Sequence, residues 1–440
     1  MRYEDALQYI HQLNKFGMRL GLERIEYLLK ALGNPHEGFR SVHIAGTNGK
    51  GSTAAMISSI LIESGHKTGL FTSPYLERFT ERIRINNREI PEEQVALFIS
   101  KVIPIIDEMK KKGFENPTEF EVVTAMGFDY FSRENIDVGV IEVGLGGRLD
   151  STNVITPVTS VITPISFDHT SELGNTLRRI AGEKAGIIKE AGTTVSAPQH
   201  EEAYRIIEET CIKKGNTLFV VGKDIMYELK DYSFYGSTFD LKGIIGEYKN
   251  LKLPLAGKYQ IINASTAVGA VETLIMKGIN IDEEAIFKGL EKTRWPGRLE
   301  MISQRPRILL DAAHNLSGIR TLREAIEHDL EYDKLILVIG ILKDKDYKGM
   351  LEMIIPLADI VIATKPDSPR ALDTETLVKE ISGYGVEVYK EDSIENAVET
   401  ACSMAGMRDL VCFTGSIYMI GRVRTIIINK GITAGNSKEP

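Results

Sequence analysis

The stretch that decides the fold reads Gly46-Thr47-Asn48-Gly49-Lys50-Gly51-Ser52. It follows an apolar run, Ser41–Ala45, which predicts a buried strand, and it precedes a helical pattern from about Ser52 to Glu63. Glycines allow several backbone N–H groups to point at one anion, and the N-terminus of a helix adds partial positive charge. Lys50 can then reach the β- and γ-phosphates and Ser52 a magnesium ion, so the stretch predicts a phosphate-binding loop.

This loop departs from the usual pattern G-x-x-x-x-G-K-[ST], because Gly51 separates Lys50 from Ser52. A plain glycine turn before a helix is the alternative interpretation. Three glycines and a lysine at a strand-to-helix junction favour nucleotide binding. The loop alone does not choose between a hydrolase, a motor, a kinase and a ligase.

Length and composition limit the class of protein. A chain of 440 residues predicts two or three domains, and 43% hydrophobic with 26% charged residues is usual for a globular protein. The net charge of −8 gives no overall basic surface, so neither nucleic acid nor an anionic membrane is an expected partner. No signal peptide and no run of about 18 apolar residues is visible, so the cytoplasm is the expected location. The three cysteines are predicted to be buried thiols rather than disulfides: Cys211, Cys402 and Cys412.

Strand-like and helical patterns alternate along most of the chain, which predicts an α/β fold with parallel sheets covered on both faces. In the first part, Asp137–Glu142, Thr159–Thr163 and Thr193–Ala197 are the expected further strands. Residues 216–255 are rich in Tyr, Gly and charge, with short alternations, and predict antiparallel strands appended to the first domain. A helical pattern resumes at about Gln260.

A turn-forming segment, Thr293–Arg298 (TRWPGR), holds the single tryptophan and is the expected interdomain linker. We therefore expect a P-loop domain over 1–295 and a smaller Rossmann-like domain over 299–430, with a polar tail from about Gly431. The strands expected in the second domain are Arg307–Asp311, Lys334–Gly340, Ile360–Thr364, Glu387–Tyr389 and Leu410–Thr414.

The form GTNGKGS resembles the phosphate loop of the Mur ligase superfamily, and most closely that of its folylpolyglutamate synthase/dihydrofolate synthase branch. The resemblance runs in order from about residue 19 to residue 425. The other segments that carry it are Thr72–Leu76, Glu81–Ile83, Glu142–Asn153, Asp168–His169, Glu183–Gly186, Arg298, Asp311–Asn315 and Thr414–Tyr418.

This resemblance implies a P-loop ATPase domain joined to a Rossmann-like domain, and an ATP-dependent ligase that forms an amide. The implied reaction adds L-glutamate to the γ-carboxylate of tetrahydrofolate through an acyl phosphate. Asp150, in GRLDSTN, resembles the form found in bifunctional members that also join dihydropteroate to glutamate, and that second activity is left open. The implied partners are ATP, L-glutamate and a reduced folate, and a monomer is expected.

Glu142 is the metal ligand that the residues themselves favour. It ends a buried strand, at the edge where α/β sheets bind ligands, and magnesium prefers oxygen ligands. A turn or cap role is the alternative. Ser73 and His169 have ordinary interpretations as a loop hydroxyl and a core or surface histidine, but the resemblance implies that both bind magnesium with Glu142. The glycines of Gly144–Gly147 do not complete a dinucleotide motif, so NAD is not expected.

Lys184 lies in a charged helical segment, Arg178–Lys189, so a solvated helix face is the alternative to a functional role. The resemblance implies a lysine that becomes carbamylated. Lys50, Lys184 and His314 are taken as catalytic, with the role of His314 the least defined. The residues expected to bind ATP are Gly46, Thr47, Asn48, Gly49, Lys50, Gly51, Ser52, Asn263, Arg298 and Asp311.

The pteridine site rests on the resemblance alone. The residues expected to bind folate are Thr118, Glu119, Phe120, Glu121, Leu149, Asp150 and Ser151.

Three rival functions stay open: a ligase of cell-wall peptide synthesis, a P-loop ATP hydrolase, and a nucleotide-binding module without catalysis. The first usually carries a further domain before the phosphate loop, and Gly46 lies too close to the start for one.

Overall fold

The computed structural model describes residues 1–13 and 21–432. The start of the family resemblance, near residue 19, and nearly all of the polar tail expected from Gly431 lie outside these residues. Within them, no helix is both long enough and apolar enough to span a bilayer.

The first domain is built on an eight-stranded sheet within the described residues. Its strands are β1 (Arg40–Ala45), β2 (Thr68–Phe71), β3 (Ile83–Ile85), β4 (Arg88–Glu89), β5 (Val138–Glu142), β6 (Thr159–Ile162), β7 (Thr193–Ser196) and β8 (Thr217–Val220). The order is β4-β3-β2-β5-β1-β6-β7-β8, and all neighbours are parallel except those involving β3. The predicted strands are confirmed to within a residue or two. The carboxyl ends of β1, β5 and β6 therefore meet at one edge of the sheet.

Helices cover both faces of this sheet. They are α1 (Tyr3–Leu13), α2 (Glu23–Ala31), α3 (Lys50–Glu63), α4 (Glu92–Lys111), α5 (Glu119–Arg133), α6 (Thr170–Leu173), α7 (Leu177–Ala185), α8 (Glu201–Lys213), α9 (Tyr259–Met276) and α10 (Glu283–Lys292). Helix α3 is buried from Ser52 to Leu61, because its residues there are apolar or small and it packs against the sheet, α9 and α10. The phosphate-loop helix is thus held rigidly from both sides.

The prediction for residues 216–255 is wrong at its start. Residues Thr217–Val220 follow helix α8 and extend the main sheet as its parallel edge strand β8, so they complete a βαβ unit. The antiparallel sheet begins afterwards and consists of β9 (Met226–Ser233), β10 (Gly236–Lys242) and β11 (Glu247–Leu253), with β10 in the centre. Buried Glu272 of α9 accepts hydrogen bonds from backbone N–H groups of the turn between β10 and β11 and from Tyr248, which fixes this sheet on the domain.

The second domain has a six-stranded sheet within the described residues. Its strands are β12 (Glu300–Gln304), β13 (Arg307–Leu310), β14 (Leu335–Ile339), β15 (Ile360–Ala363), β16 (Glu387–Lys390) and β17 (Leu410–Thr414). Its helices are α11 (Leu316–His328), α12 (Tyr347–Ile354), α13 (Thr374–Ser382), α14 (Ile394–Met404) and α15 (Ile417–Asn429). The order is β12-β13-β17-β14-β15-β16, with β12 alone antiparallel. The five predicted strands are confirmed, and β12 was missed because its hairpin with β13 is interrupted by the Arg305-Pro306 turn.

The segment 293–298 lies between α10 and β12, and we propose it as the interdomain linker, with domain limits near 295 and 299. The Trp295 side chain packs against the core of the first domain. The cysteines are free thiols, and burial raises the pKa of Cys211 to about 11 and that of Cys412 well above its ordinary value. The prediction of thiols without disulfides is confirmed for all three, but the predicted burial is wrong for Cys402, which is only partly buried.

Candidate active site

A cavity of about 260 Å³ lies between the two domains, at the carboxyl edges of both sheets. Every residue predicted to bind ATP, to bind magnesium or to act in catalysis lines this cavity. From the first domain come the loop Gly46–Ser52, Ser73, Glu142, His169, Lys184 and Asn263, and from the linker and second domain come Arg298, Asp311 and His314. Fifteen positions spread over 269 residues of sequence therefore meet at one place, although their individual roles stay predictions.

The phosphate loop needs its glycines for space as well as for backbone conformation. Gly49 is the N-cap of α3 with φ of 85°, and a Cβ there would collide with the Asn263 amide. A Cβ on Gly51 would come to 2.7 Å from the Trp295 ring. The extra glycine that departs from the usual motif is thus explained by the linker tryptophan packed on the loop. The first N–H groups of α3 have no helical acceptor and open toward the cavity.

Glu142 ends β5 and is almost fully buried. Its Oε2 accepts a hydrogen bond from the Ser73 N–H at 3.2 Å. Burial raises the pKa of the Glu142 carboxyl, and nearby Lys50 opposes that shift. A buried carboxylate beside the hydroxyls of Ser52 and Ser73 is an oxygen donor set that suits magnesium.

Within residues 1–13 and 21–432, no group of three or more His, Cys, Asp and Glu side chains is placed to hold a metal ion. The protein would therefore supply only part of the coordination shell. That is the usual arrangement for magnesium, which keeps water molecules and binds substrate phosphates. The residues present fit a magnesium ion that is shared with a nucleotide.

Two histidines face the cavity with unusual electrostatics. Burial lowers the pKa of His169 and of His314 to about 4, so both rings are neutral near pH 7. The Nδ1 of His314 lies 2.8 Å from the carbonyl oxygen of Ala312, which orients its ring. A neutral His169 ring has a nitrogen lone pair that can bind a cation, and its Nε2 lies 3.4 Å from the Lys345 ammonium.

Lys184 is not on a solvated helix face, so that alternative is wrong. Its side chain is 5% exposed, and its Nζ donates a hydrogen bond to the Gly46 carbonyl oxygen at 2.7 Å. Burial and the charge of Lys50 lower the pKa of Lys184 to about 7. Helix α7 also ends at Ala185, four residues before the predicted helical segment does.

Asp311 follows β13 and receives two backbone hydrogen bonds, from the N–H groups of Leu299 at 2.8 Å and Ala313 at 2.9 Å. Burial raises the pKa of its carboxyl, and Arg298 lowers it in turn. The aspartate therefore ties the end of the linker to the start of the second domain. This contact places the Arg298 guanidinium at the cavity.

Sequence reasoning assigned no role to several residues that line or brace the cavity. Gln260, fully buried at the start of α9, places its Nε2 3.4 Å from the Ser52 hydroxyl and accepts a hydrogen bond from the Asn263 amide at 2.9 Å. A Gln and an Asn close together at the start of a largely apolar helix were the available signal. Lys345 and Asn315, from the second domain, both contact Asp168 of the first. Lys345 belongs to no motif that the sequence revealed.

The residues predicted to bind folate line neither this cavity nor its neighbour. Thr118 and Glu121 form the capping box of α5, and the Asp150 carboxylate accepts hydrogen bonds from the N–H groups of Leu145 and Thr152. Phe120 packs on Gly144 of the cavity wall, and a Cβ added to Gly144 would come to 2.5 Å from the Phe120 ring. Phe120 and Asp150 therefore support the wall from behind, and contact of the whole group with folate stays a prediction.

A second cavity, of about 240 Å³, adjoins the first and shares with it Gly51, Ser73, Glu142 and Arg298. Its other walls are the loop after β2, the linker and α15, and they include Glu77, Arg78, Arg84, Trp295 and Arg424. The shared wall allows a molecule in one cavity to meet a molecule in the other at Glu142 and Arg298.

Comparison with known families agrees with this architecture. Residues 44–271 match the family described as the Mur ligase middle domain, and residues 297–417 match the Mur ligase glutamate ligase domain. The chain thus has the two matched domains of a Mur ligase, in the same order along the sequence.

Similar proteins indicate which branch of the Mur ligases this chain belongs to. A Bacillus subtilis protein named dihydrofolate synthase/folylpolyglutamate synthase is 37% identical, over 96% of this chain and 98% of its own length. The structure of Mycobacterium tuberculosis folylpolyglutamate synthase complexed with ADP and AMPPCP has a TM-score of 0.88 at 33% identity and covers 96% of this chain and 98% of that one. Escherichia coli FolC in complex with DHPP and ADP has a TM-score of 0.87 at 30% identity, covering 98% of this chain and 99% of that one. The chain belongs to the folylpolyglutamate synthase/dihydrofolate synthase family.

Proposed function

We propose that this protein is an ATP-dependent ligase that adds L-glutamate to the γ-carboxylate of tetrahydrofolate. The single observation that carries the proposal is the meeting of the phosphate loop, Glu142, Lys184 and Arg298 in one interdomain cavity. Relatives that cover nearly the whole chain carry the names of this activity, and related structures contain ADP.

In the first step, an oxygen of the folate carboxylate attacks the γ-phosphorus of ATP. The bond to the bridging oxygen of ADP breaks, and an acyl phosphate forms. Lys50 and Arg298 are the cations that stabilise negative charge on the transferred phosphoryl group. Magnesium, held by Glu142 with Ser73 and His169, would neutralise the phosphate oxygens during this transfer.

In the second step, the uncharged amine of glutamate attacks the carbonyl carbon of the acyl phosphate. The carbon–oxygen bond to phosphate breaks, and the departing inorganic phosphate takes the proton that the nitrogen loses, which completes the amide. His314 is neutral and oriented by the Ala312 carbonyl oxygen. A pKa near 4 makes it a weak base, so we assign it a positioning role in this step rather than proton removal.

We propose further that Lys184 is carbamylated. Its unprotonated amine would attack carbon dioxide, form a carbamate and release one proton, so that a neutral amine becomes an anion. A pKa near 7 supports the reaction, because a large fraction of the amine is then neutral at physiological pH. Carbamylation also removes the repulsion between Lys184 and Lys50.

The carboxylate of the acceptor would reach the shared wall at Glu142 and Arg298. Binding of the pteridine by Thr118–Glu121 and Leu149–Ser151, which line neither cavity, stays a prediction from the resemblance. Use of dihydropteroate as a second acceptor, a monomeric state and a cytoplasmic location stay predictions from the sequence. A cell-wall ligase is disfavoured, because the folate-branch relatives match over almost the entire chain.

Phosphate release from Mg-ATP and glutamate tests the proposal, with tetrahydrofolate, dihydropteroate or neither acceptor present. Release that requires tetrahydrofolate, with a product heavier by one glutamate in mass spectrometry, is the expected result. Additional release with dihydropteroate would make the enzyme bifunctional. Equal release without any acceptor would overturn the ligase proposal and leave an ATP hydrolase.

A further inference from the structure

A buried ion pair joins the two domains beside the phosphate loop. Lys345 lies in the loop after β14 of the second domain, and Asp168 lies in the loop after β6 of the first. The Lys345 Nζ is 2.6 Å from Asp168 Oδ1, and the two side chains are only 7% and 8% exposed. Loss of one member of a buried ion pair leaves an uncompensated charge, which is unfavourable. Because the two members belong to different domains, this contact favours the arrangement in which the domains lie together.

The loop that carries Lys345 is braced before it reaches across the cleft. The Lys343 N–H donates to the Arg370 carbonyl oxygen at 2.8 Å, and the Arg370 guanidinium lies 3.2 Å from the Asp344 carboxylate. These contacts lie wholly within the second domain. Lys345 is therefore presented to Asp168 by a preorganised loop rather than by a free side chain.

Asp168 collects a second contact from the same domain. Asn315 donates through Nδ2 to Asp168 Oδ2 at 2.9 Å and lies 3.1 Å from the Asn48 amide oxygen in the phosphate loop. The His314 Nε2 is 3.7 Å from the same carboxylate oxygen. Three second-domain side chains thus converge on one carboxylate at the rim of the nucleotide cavity.

We propose that Lys345 is a positioning residue whose pairing with Asp168 holds the second domain closed over the cavity while the acyl phosphate exists. The inference rests on the proposed ligase function. An acyl phosphate is destroyed by water, so the domains must stay together until glutamate has attacked. The pair is small and polar, which suits a contact that forms and separates in every catalytic cycle.

The test compares Lys345→Met with Lys348→Met, a control three residues away whose side chain is 66% exposed and pairs with Glu380. We expect Lys345→Met to add glutamate roughly 10²-fold more slowly, while ADP affinity changes by less than about 3-fold. Phosphate released per glutamate added should rise above unity, because the intermediate is lost to water. The control should match the wild type in all three measurements.

A double-variant cycle with Asp168→Asn separates positioning from a general structural defect. If the residues act as a pair, the double variant should be no slower than the slower single variant. Additive losses, or slower ligation with phosphate and glutamate still in a one-to-one ratio, would overturn the proposal. If Lys345→Met does not fold, Lys345→Arg, which keeps the charge, should retain coupled turnover, and uncoupled turnover in that variant would count against the proposal.

Failure of the ligase function itself has a different signature. Wild-type protein would then release no acceptor-dependent phosphate, yet the ion pair could still be tested by small-angle X-ray scattering with ADP bound. A closing contact predicts a larger radius of gyration for Lys345→Met than for Lys348→Met. Equal radii would reject the contact as a determinant of closure.

Discussion

The two adjoining cavities hold their positive charges in different ways. In the cavity that contains the phosphate loop, Lys50 and Lys184 donate only to backbone carbonyl oxygens in the part of the chain that the structure describes. In the neighbouring cavity, three of the lining arginines other than Arg298 sit in ion pairs: Arg78 with Glu89, Arg84 with Glu81, and Arg424 with both Glu77 and Glu300. Cations that are not paired with a carboxylate are available to bind a substrate anion, whereas cations in ion pairs stabilise the cavity wall.

Arg298 and Glu142 belong to both cavities and mark where the two kinds of site meet. The ion-paired wall of the second cavity also joins the two domains. Glu77 lies on the loop after β2 of the first domain and accepts hydrogen bonds from Arg424 and Thr425 of α15 in the second. The comparison predicts that substitutions in the first cavity lower the rate of catalysis. Substitutions of the paired residues in the second cavity should mainly weaken the packing of the two domains.

Lys50→Ala should produce the largest effect. Its ammonium donates to the Gly46 and Thr47 carbonyl oxygens of the phosphate loop and is expected to meet the β- and γ-phosphates, so we expect kcat to fall by at least about 10³-fold. Phosphate release and mass spectrometry of the product measure this loss, and circular dichroism checks that the fold is retained. A folded Lys50→Ala enzyme with near-normal turnover would refute the phosphate-loop assignment.

Glu142→Gln changes the wall that the cavities share. The amide keeps the size of the side chain but removes the negative charge that suits magnesium, so we expect kcat to fall roughly 10²-fold and the magnesium requirement to rise. Titration of activity against magnesium at saturating ATP is the measurement. An unchanged magnesium dependence would exclude Glu142 as a ligand.

Removal of carbon dioxide should have a smaller, reversible effect through Lys184. We expect activity to fall about 10-fold in stripped buffer and to return with bicarbonate, because a carbamate at this position orders the site. The neutral amine fraction increases with pH through about 7, so recovery should be faster at pH 8 than at pH 6. A carbamate resonance in carbon-13 NMR after labelled bicarbonate is the direct check, and Lys184→Met should lack both the signal and the response.

Arg424→Met should have the smallest effect on chemistry. It removes contacts to Glu77 at 2.6 Å and Glu300 at 3.0 Å, so we expect the free energy of unfolding to decrease by about 2 kcal/mol. We expect kcat to stay within about 3-fold of wild type, because the paired cation does not contact the phosphates. Urea denaturation and steady-state kinetics measure the two quantities, and a large loss of kcat with unchanged stability would break the distinction between the cavities.

Much of the candidate site could be predicted from the sequence, because its motifs lie directly after predicted strands. Glu142 and Asp311 follow parallel strands, and parallel sheets bring such positions to one edge. The environment of Lys184 was not accessible, since a charged helical segment gives no sign of which face the neighbouring phosphate loop covers. The place of Thr217–Val220 was also missed, because a short apolar run does not reveal which sheet it joins.

The sequence by itself determined the class of protein, the phosphate loop, the alternation of strands and helices, and the residues that the two domains bring to their cleft. Those features depend on local composition and on spacing along the chain. Only the tertiary structure decided that Trp295 covers Gly51, that Lys184 is buried, and that Lys345 reaches Asp168 across 177 residues of sequence. Burial and charge pairing of this kind arise from packing between distant segments, which no local pattern in the chain records.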